Sequence, residues 1–283
     1  MNLFVKVIKK LYWLGLIGLL GTFFKIRILE LFYLFFLLGI VDVIISFIIV
    51  LKEDDNTVSD LKLLFQNLGM LIGIPVIYLR NFFILPNVKN YQPQVLYQLP
   101  FQGCYYVVNG GIDKEHSHSW NILNQRYAYD FYLVKEGKTH HGDGNDVSDY
   151  YCYGKAVLAP ARGVVVEIKN CFNDTLIKKG EVNCNASDVR GNYLVIKHSK
   201  NEYSMIAHLK KDSFLVRVGD RVEKGEPVAC VGNSGNTSEP HIHFQVQQGK
   251  SFFFSAGIPI CFDSLNYLQC GQYVENKKVK DID

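Results

Sequence analysis

His241 and His243 stand one residue apart in the stretch Glu239-Pro240-His241-Ile242-His243-Phe244-Gln245-Val246. Pro240 biases the residue before it toward extended backbone. Beyond it, Ile242, Phe244 and Val246 alternate with His241, His243 and Gln245 at period two, the pattern of a β-strand. Both imidazoles then face the same side, roughly 6–7 Å apart along the strand. At that spacing they do not hydrogen-bond each other, but they can address one metal-bound water from neighbouring positions. A lone His-x-His reads first as a polar strand face in solvent, so the surrounding elements must overturn that reading.

Those elements begin with length and composition. A chain of 283 residues holds one or two domains, and its 48% hydrophobic content is concentrated in the first 90 residues, whereas His, Gly and Asn gather after residue 103. The net charge of +3 is small and the basic residues are scattered, which argues against a nucleic-acid partner. All seven cysteines lie in the C-terminal part with no Cys-x-x-Cys pair, so neither a thiolate zinc knuckle nor a thioredoxin-type site is expected. Cys171 and Cys184 flank a polar loop and would bridge only in an oxidising compartment.

The N-terminal region reads as membrane-associated. Leu11–Phe24 is a marginal apolar run between Lys9-Lys10 and Lys25, with no cleavage site of a signal peptide after it. Ile28–Leu51 is the stronger run, 24 residues with only Glu30 and Asp42 as charges, and is expected to be a transmembrane helix. Leu63–Ile84, carrying Gln66, Asn67 and Arg80, is either a third span or an amphipathic helix on the membrane surface. Residues 1–84 thus form an expected membrane region of two or three helices. Residues 85–100 read as a Pro-containing linker, 101–275 as the soluble domain and 276–283 as a mobile tail. With three spans the protein is a multi-pass protein of the cell membrane whose C-terminal domain lies outside.

From Phe101 onward short strands are punctuated by turn residues. Val157–Pro160, Gly163–Ile168, Asn192–Lys197, Tyr203–Leu209 and the strands within Val218–Gly232 precede the His-x-His strand, so the domain is expected to be mostly β, an antiparallel sheet or β-sandwich. The pieces Asn124-Gln125-Arg126-Tyr127-Ala128-Tyr129-Asp130, Tyr153–Val165, Ala207-His208-Leu209, Gly219-Asp220-Arg221-Val222-Glu223-Lys224-Gly225, Gly232–Thr237 and Pro240–Phe244 follow one another in an order and at spacings that resemble the lysostaphin-type zinc metallopeptidases, bacterial cell-wall endopeptidases. The Gly219–Gly225 turn alone also occurs in biotinyl and lipoyl carrier domains, which lack the paired histidines.

The resemblance implies zinc as cofactor, His243 and Asp130 as ligands, and His208 and His241 as catalytic histidines beside the metal. It also implies a substrate in peptidoglycan or a small peptide. In the commonest form of the family a histidine precedes the ligand aspartate by four residues; here that position is Arg126, which has no lone pair to offer. The branch with the Gln-Arg-Tyr-Ala-x-Asp signature takes its histidine from farther upstream, where this chain has His116 and His118, the latter nearer the signature and favoured. If neither reaches the metal, the domain is an inactive peptidase-like module for wall binding or regulation. The Thr139–Asp146 stretch with His140 and His141 reads as an exposed loop, His198 as the solvent-facing cap of a strand, and Phe252-Phe253-Phe254 as core or groove wall.

Overall fold

The computed structural model describes residues 12–35, 56–177, 186–263 and 265–276. The chain divides into two compact units at Leu61/Lys62, ahead of the expected boundary at residue 84.

In the first unit a 3-10 turn at Tyr12–Gly15 leads into α1 (Leu16–Phe24), followed by the single-turn α2 (Arg27–Glu30) and a 3-10 turn at Leu31–Phe35. Nine residues of α1 rise only about 14 Å, against roughly 30 Å of bilayer core, so the Leu11–Phe24 run does not make a span here. The cause is local. Lys25 takes a left-handed conformation (φ 57°) and the Ile26 N–H turns back to Gly21 O at 2.8 Å, closing the helix end. Thr22 Oγ1 then lies 2.7 Å from the Tyr33 hydroxyl. Most of the Ile28–Leu51 run lies outside the described residues. Among the described residues no helix is long and apolar enough to cross a membrane.

The second unit begins within α3 (Asn56–Arg80), the helix expected as a third span or surface helix. Gln66, Met70, Gly73 and Ile77 recur at helical spacing on one face, and that face packs on the domain. Gln66 Oε1 accepts the Val189 N–H at 2.8 Å, Ile77 is buried with Leu123 and Ala256, and any Cβ at Gly73 would collide with Phe253 O. Residues 85–100, expected as a linker, also belong to the packed domain. Tyr97 and Leu99 are core residues, and the buried Glu202 carboxylate accepts from Tyr91 Oη (2.8 Å), Gln94 N (2.6 Å) and Tyr97 Oη (3.0 Å). Asn276, placed by the sequence in a mobile tail, is tied by its side chain to Leu99 and Phe101 backbone; residues 277–283 lie outside the described residues, as does Cys184.

The domain is mostly β. Its strands are β1 (Cys104–Asn109), β2 (Tyr129–Tyr132), β3 (Ala156–Leu158), β4 (Gly163–Lys169), β5 (Asn192–Lys197), β6 (Tyr203–Leu209), β7 (Arg221–Val222), β8 (Pro227–Cys230), β9 (Ile242–Gln247) and β10 (Tyr273–Glu275). Eight form one sheet in the order β10-β1-β2-β9-β6-β5-β4-β7, and β3 pairs with β8. Every one of these strand pairs is antiparallel. The period-two strands bury their apolar sets, Leu194 and Ile196, Ile206, and Ile242, Phe244 and Val246, in one core with the β3–β8 ribbon. The opposite face of the central strands packs Tyr193, Val195, Met205 and Ala207 with Phe252.

Candidate active site

Register builds the site. Asn109 on β1 pairs with Asp130 on β2, Asp130 pairs with His243 on β9, and His243 pairs with Ala207 on β6. Directly opposed residues of antiparallel strands share a face, so Asn109, Asp130 and His243 form one row across three strands. A register shift between Val107 and Asn109 brings the asparagine into that row. His208 follows Ala207 and by simple alternation would point into the opposite core. Its φ of 61° re-aims it instead, with the Arg190 carbonyl receiving its N–H at 3.0 Å. The imidazole then stands 4.8 Å from the ring of His241 and 5.7 Å from that of His243, measured between ring centres.

Hydrogen bonds fix which nitrogen of each ring carries a proton. His208 Nδ1 donates to Ser234 O (2.8 Å) and His241 Nδ1 donates to Glu239 O (2.8 Å), because a carbonyl can only accept. Both rings therefore keep Nε2 as the open position, and His241 Nε2 lies 3.7 Å from Asp130 Oδ1. Burial, followed by the neighbouring histidines, pushes His208 well below its usual value; burial also lowers His241 despite the Asp130 charge. Both are neutral bases at neutral pH.

His243 and Asp130 are joined by a 2.8 Å contact from Nδ1 to Oδ1. Burial alone would raise the carboxyl of Asp130, but the His243 hydrogen bond and the nearby imidazoles outweigh it and hold the group well below the ordinary range. For His243 burial acts downward and the bond to Asp130 upward, with a net rise. Two buried amides complete the arrangement, and neither was foreseen. Gln245 Nε2 donates to Asn124 O (3.1 Å) and to Gln247 Oε1 (2.8 Å), so its Oε1 must be the atom 3.2 Å from His243 Nε2. Asn109 Oδ1 accepts the His118 N–H (2.9 Å), so its Nδ2 is the donor to Asp130 Oδ2 (3.0 Å).

Of the two upstream histidines, His118 reaches the site, with Nε2 3.9 Å from Asp130 Oδ2 and a side chain 71% exposed at the cleft. His116 is turned to Asp113, Nδ1 to Oδ1 2.7 Å. Arg126 takes no part in the site: its Nε donates to Trp120 O and its guanidinium lies 5.0 Å from the Trp120 ring centre. His198, expected in solvent, is hydrogen-bonded to Arg162 O and Ser204 Oγ. His140 and His141 sit in a loop outside the cleft, joined to it through the 3.1 Å bond from Thr139 Oγ1 to Glu239 Oε2. Phe252 is buried in the cleft wall, as its sequence context suggested.

The cleft encloses about 310 Å³ and is lined by His118, Asp130, Tyr132, His208, His241 and His243 together with Arg190 and the Asn236–Ser238 loop. That loop passes so close to β5 that a Cβ on Gly235 (φ 88°) would lie 2.4 Å from Gly191 N. Two imidazoles and a carboxylate are the donor chemistry of a catalytic zinc. Ligand atoms of a tetrahedral zinc with bonds of about 2.0–2.1 Å lie roughly 3.4 Å apart; the 2.8 Å and 3.9 Å separations at Asp130 straddle that spacing. Among the described residues no three His, Cys, Asp or Glu side chains are already drawn together as a metal cluster, and His118 is the donor that stands off. The residues present fit zinc on the condition that His118 moves inward.

Residues 143–253 match Peptidase family M23. The M23 match contains His208, His241 and His243, whereas His118 and Asp130 lie upstream of it. Peptidoglycan DD-endopeptidase ShyA of Vibrio cholerae is 30% identical over 93 residues, 32% of this chain and 21% of that protein. Murein hydrolase activator NlpD of Escherichia coli is 32% identical over 99 residues, 35% of this chain and 21% of that protein. The chain thus spans about a fifth of the length of these relatives. Among solved structures, a zinc-containing peptidase from Vibrio cholerae aligns over 58% of this chain and 39% of its own at 20% identity and a TM-score of 0.36. Lysostaphin from Staphylococcus simulans aligns over 54% and 47% at 18% identity and a TM-score of 0.32.

Proposed function

We propose that this chain is a membrane-anchored zinc endopeptidase of the M23 type that hydrolyses a peptide bond in peptidoglycan cross-links or stem peptides, or in a small secreted peptide. The observation that carries the reading is the Asn109-Asp130-His243 row with two further histidines, His208 and His241, beside it and outside it. His243 through Nδ1, Asp130 through its carboxylate and His118 through Nε2 would hold the ion. Zinc bound there supplies Lewis acidity and a water of lowered pKa.

The chain's own groups divide the remaining work. Neutral His241, with its Nδ1 proton committed to Glu239 O, offers Nε2 to take the proton of the attacking water and return it to the leaving amine. His208, held with the same tautomer by Ser234 O, presents a second neutral Nε2 to the attacking water, and only by taking that water's proton in place of His241 would it become a donor to the oxyanion. Asn109 orients the carboxylate, and Gln245 Oε1 accepts from His243 Nε2; Nδ1, which donates to Asp130 in the structure, would give up its proton to bind a metal, leaving the proton on Nε2 that Gln245 already holds. Incubation of the purified full chain with peptidoglycan, followed by mass analysis of the released fragments, tests the activity: new amine and carboxyl ends are expected, and an unchanged fragment pattern from zinc-loaded protein would refute it.

A second reading is a non-catalytic regulatory module on the same fold. The stand-off of His118 and the resemblance to a murein hydrolase activator favour it. It expects no zinc in the wild-type protein and no cleavage.

A further inference from the structure

We infer that Tyr132 is a catalytic residue whose hydroxyl donates a hydrogen bond to the oxyanion formed when water adds to the peptide carbonyl. The inference rests on the endopeptidase reading above and adds to it a group that the two histidines do not supply. His208 and His241 both spend their Nδ1 proton on a backbone carbonyl, at 2.8 Å each, which leaves an unprotonated Nε2. Each is an acceptor before the reaction starts. A carbonyl oxygen that gains negative charge is best served by a donor already in place.

Strand register puts a phenol beside the site. Asp130 and Tyr132 are next-but-one neighbours on β2, so they share a face and stand roughly 6–7 Å apart along the strand. Asp130 pairs with His243 and Phe131 with Ile242, so the next step of the same antiparallel register sets Tyr132 against His241. The rings of those two residues stand 5.3 Å apart between centres, tilted by 37°. Two adjoining edges result. Asp130 with His243 forms the edge that would hold the ion, Tyr132 with His241 forms the edge next to it, and the 3.7 Å from His241 Nε2 to Asp130 Oδ1 joins the two. Tyr132 lines the same cleft as all three.

The hydroxyl is weakly committed. Tyr127 and Tyr129, just before it in the chain, spend theirs on backbone carbonyls, Pro86 O at 3.1 Å and Leu268 O at 3.0 Å. Among the described residues the partner of Tyr132 Oη is Ser238 Oγ at 3.4 Å, longer than the roughly 2.5–3.0 Å of an ordinary O–H···O bond. Both atoms of that contact are hydroxyls, so Tyr132 can turn to a better acceptor without stranding a carbonyl or a carboxylate. A phenol also suits the task, being a neutral donor that keeps its proton at neutral pH. It gives up no proton in the reaction. The proton of the attacking water passes to His241 Nε2 and on to the leaving amine, while the Tyr132 O–H swings from Ser238 to the oxyanion and back when the carbonyl re-forms.

Tyr132→Phe removes the hydroxyl and keeps the ring against His241, so Tm and zinc content are expected to stay at wild-type levels. With the zinc-loaded full chain and soluble cross-linked peptides released from peptidoglycan, kcat should fall about 10²-fold while KM changes little. Inorganic phosphate, a tetrahedral anion that binds without regard to peptide sequence, gives a second readout by calorimetry. Its affinity for the zinc-loaded chain should fall several-fold in Tyr132→Phe. Wild-type kcat in folded Tyr132→Phe, a raised KM at unchanged kcat, or unchanged phosphate affinity would overturn the inference, as would a greater loss of kcat in Ser238→Ala than in Tyr132→Phe. The two levels separate in the same assay. A wild-type chain that cleaves no faster than Tyr132→Phe removes the assignment and leaves the endopeptidase reading standing, whereas a zinc-loaded wild-type chain that cleaves nothing overturns that reading and the assignment with it.

Discussion

Gln245→Leu removes a buried amide that touches the metal site through one atom. Three partners are stranded at once: His243 Nε2–H at 3.2 Å, Asn124 O at 3.1 Å and Gln247 Oε1 at 2.8 Å. Each buried group left without a partner costs about 1–3 kcal/mol, so the variant is expected to be clearly less stable. Its effect on the metal is separable from that loss. Without an acceptor at Nε2 the ring loses the bond that holds its proton there when Nδ1 is given to a metal, and loss of such a hydrogen bond to a ligand weakens metal binding about 10–100-fold, or roughly 1.4–2.8 kcal/mol. Zinc affinity is read by chelator competition on folded protein, and the tautomer by histidine nitrogen NMR of the zinc-loaded chain. Gln245→Glu is the control, because it keeps an acceptor toward His243 while losing the donor toward Asn124 O. It should lose stability yet hold zinc better than Gln245→Leu. Wild-type zinc affinity in folded Gln245→Leu, or a zinc-loaded His243 protonated at Nδ1, would refute the reasoning.

Asn109→Ala should weaken zinc about 10–100-fold in the same competition assay, since it releases both Asp130 Oδ2 and the His118 N–H; an unchanged affinity contradicts the positioning role. His118→Ala should lower the zinc content of the purified chain while His116→Ala leaves it intact, and the reverse pattern would exchange their assignments. For His198, burial pushes the pKa down to about 4 from 6.5, so the folded state disfavours protonation. Stability from this group is full above pH 6.5 and falls as pH drops toward 4, by at most about 3 kcal/mol. His198→Gln should therefore flatten the acid side of the Tm–pH curve relative to wild type. Gly235→Ala should displace the cleft loop at a cost of about 1–3 kcal/mol, visible as a lowered Tm together with lost turnover.

The central strands β4, β5 and β6 were legible from their length, β-branched residues and flanking turns, and β9 from the alternation of Ile242, Phe244 and Val246 with polar residues, although β5, β6 and β9 prove buried on both faces. Asp130, His208, His241 and His243 were legible through the family's order of pieces, and the structure gathers all four in one cleft. Asn109 was not, because its relation to Asp130 exists only through the pairing of β1 with β2 and a register shift that no local pattern announces. Gln245 lies on the polar side of the strand pattern, and the alternation runs on to Gln247. Both are buried, which a strand pattern cannot tell from a solvated face. The re-aimed His208 depends on a left-handed backbone at a non-glycine residue, for which the sequence carries no mark. Helix α3 read as either a span or an amphipathic surface helix because apolar residues surround it, while Gln66, Gly69 and Gly73 lie against Val189 and Phe253 of the domain, contacts that no local pattern shows. The 85–100 stretch looked like a linker through its prolines and lack of period, although Glu202, far along the chain, supplies the anchor for its tyrosines.

The proposed division of labour between His241 and His243 on one strand face is separated by measuring zinc content alongside peptide-bond cleavage for His241→Ala and His243→Ala. His241→Ala is expected to keep zinc and lose about 10²–10⁴-fold in turnover, while His243→Ala loses both. Full zinc in His243→Ala, or full turnover in His241→Ala, would contradict the account.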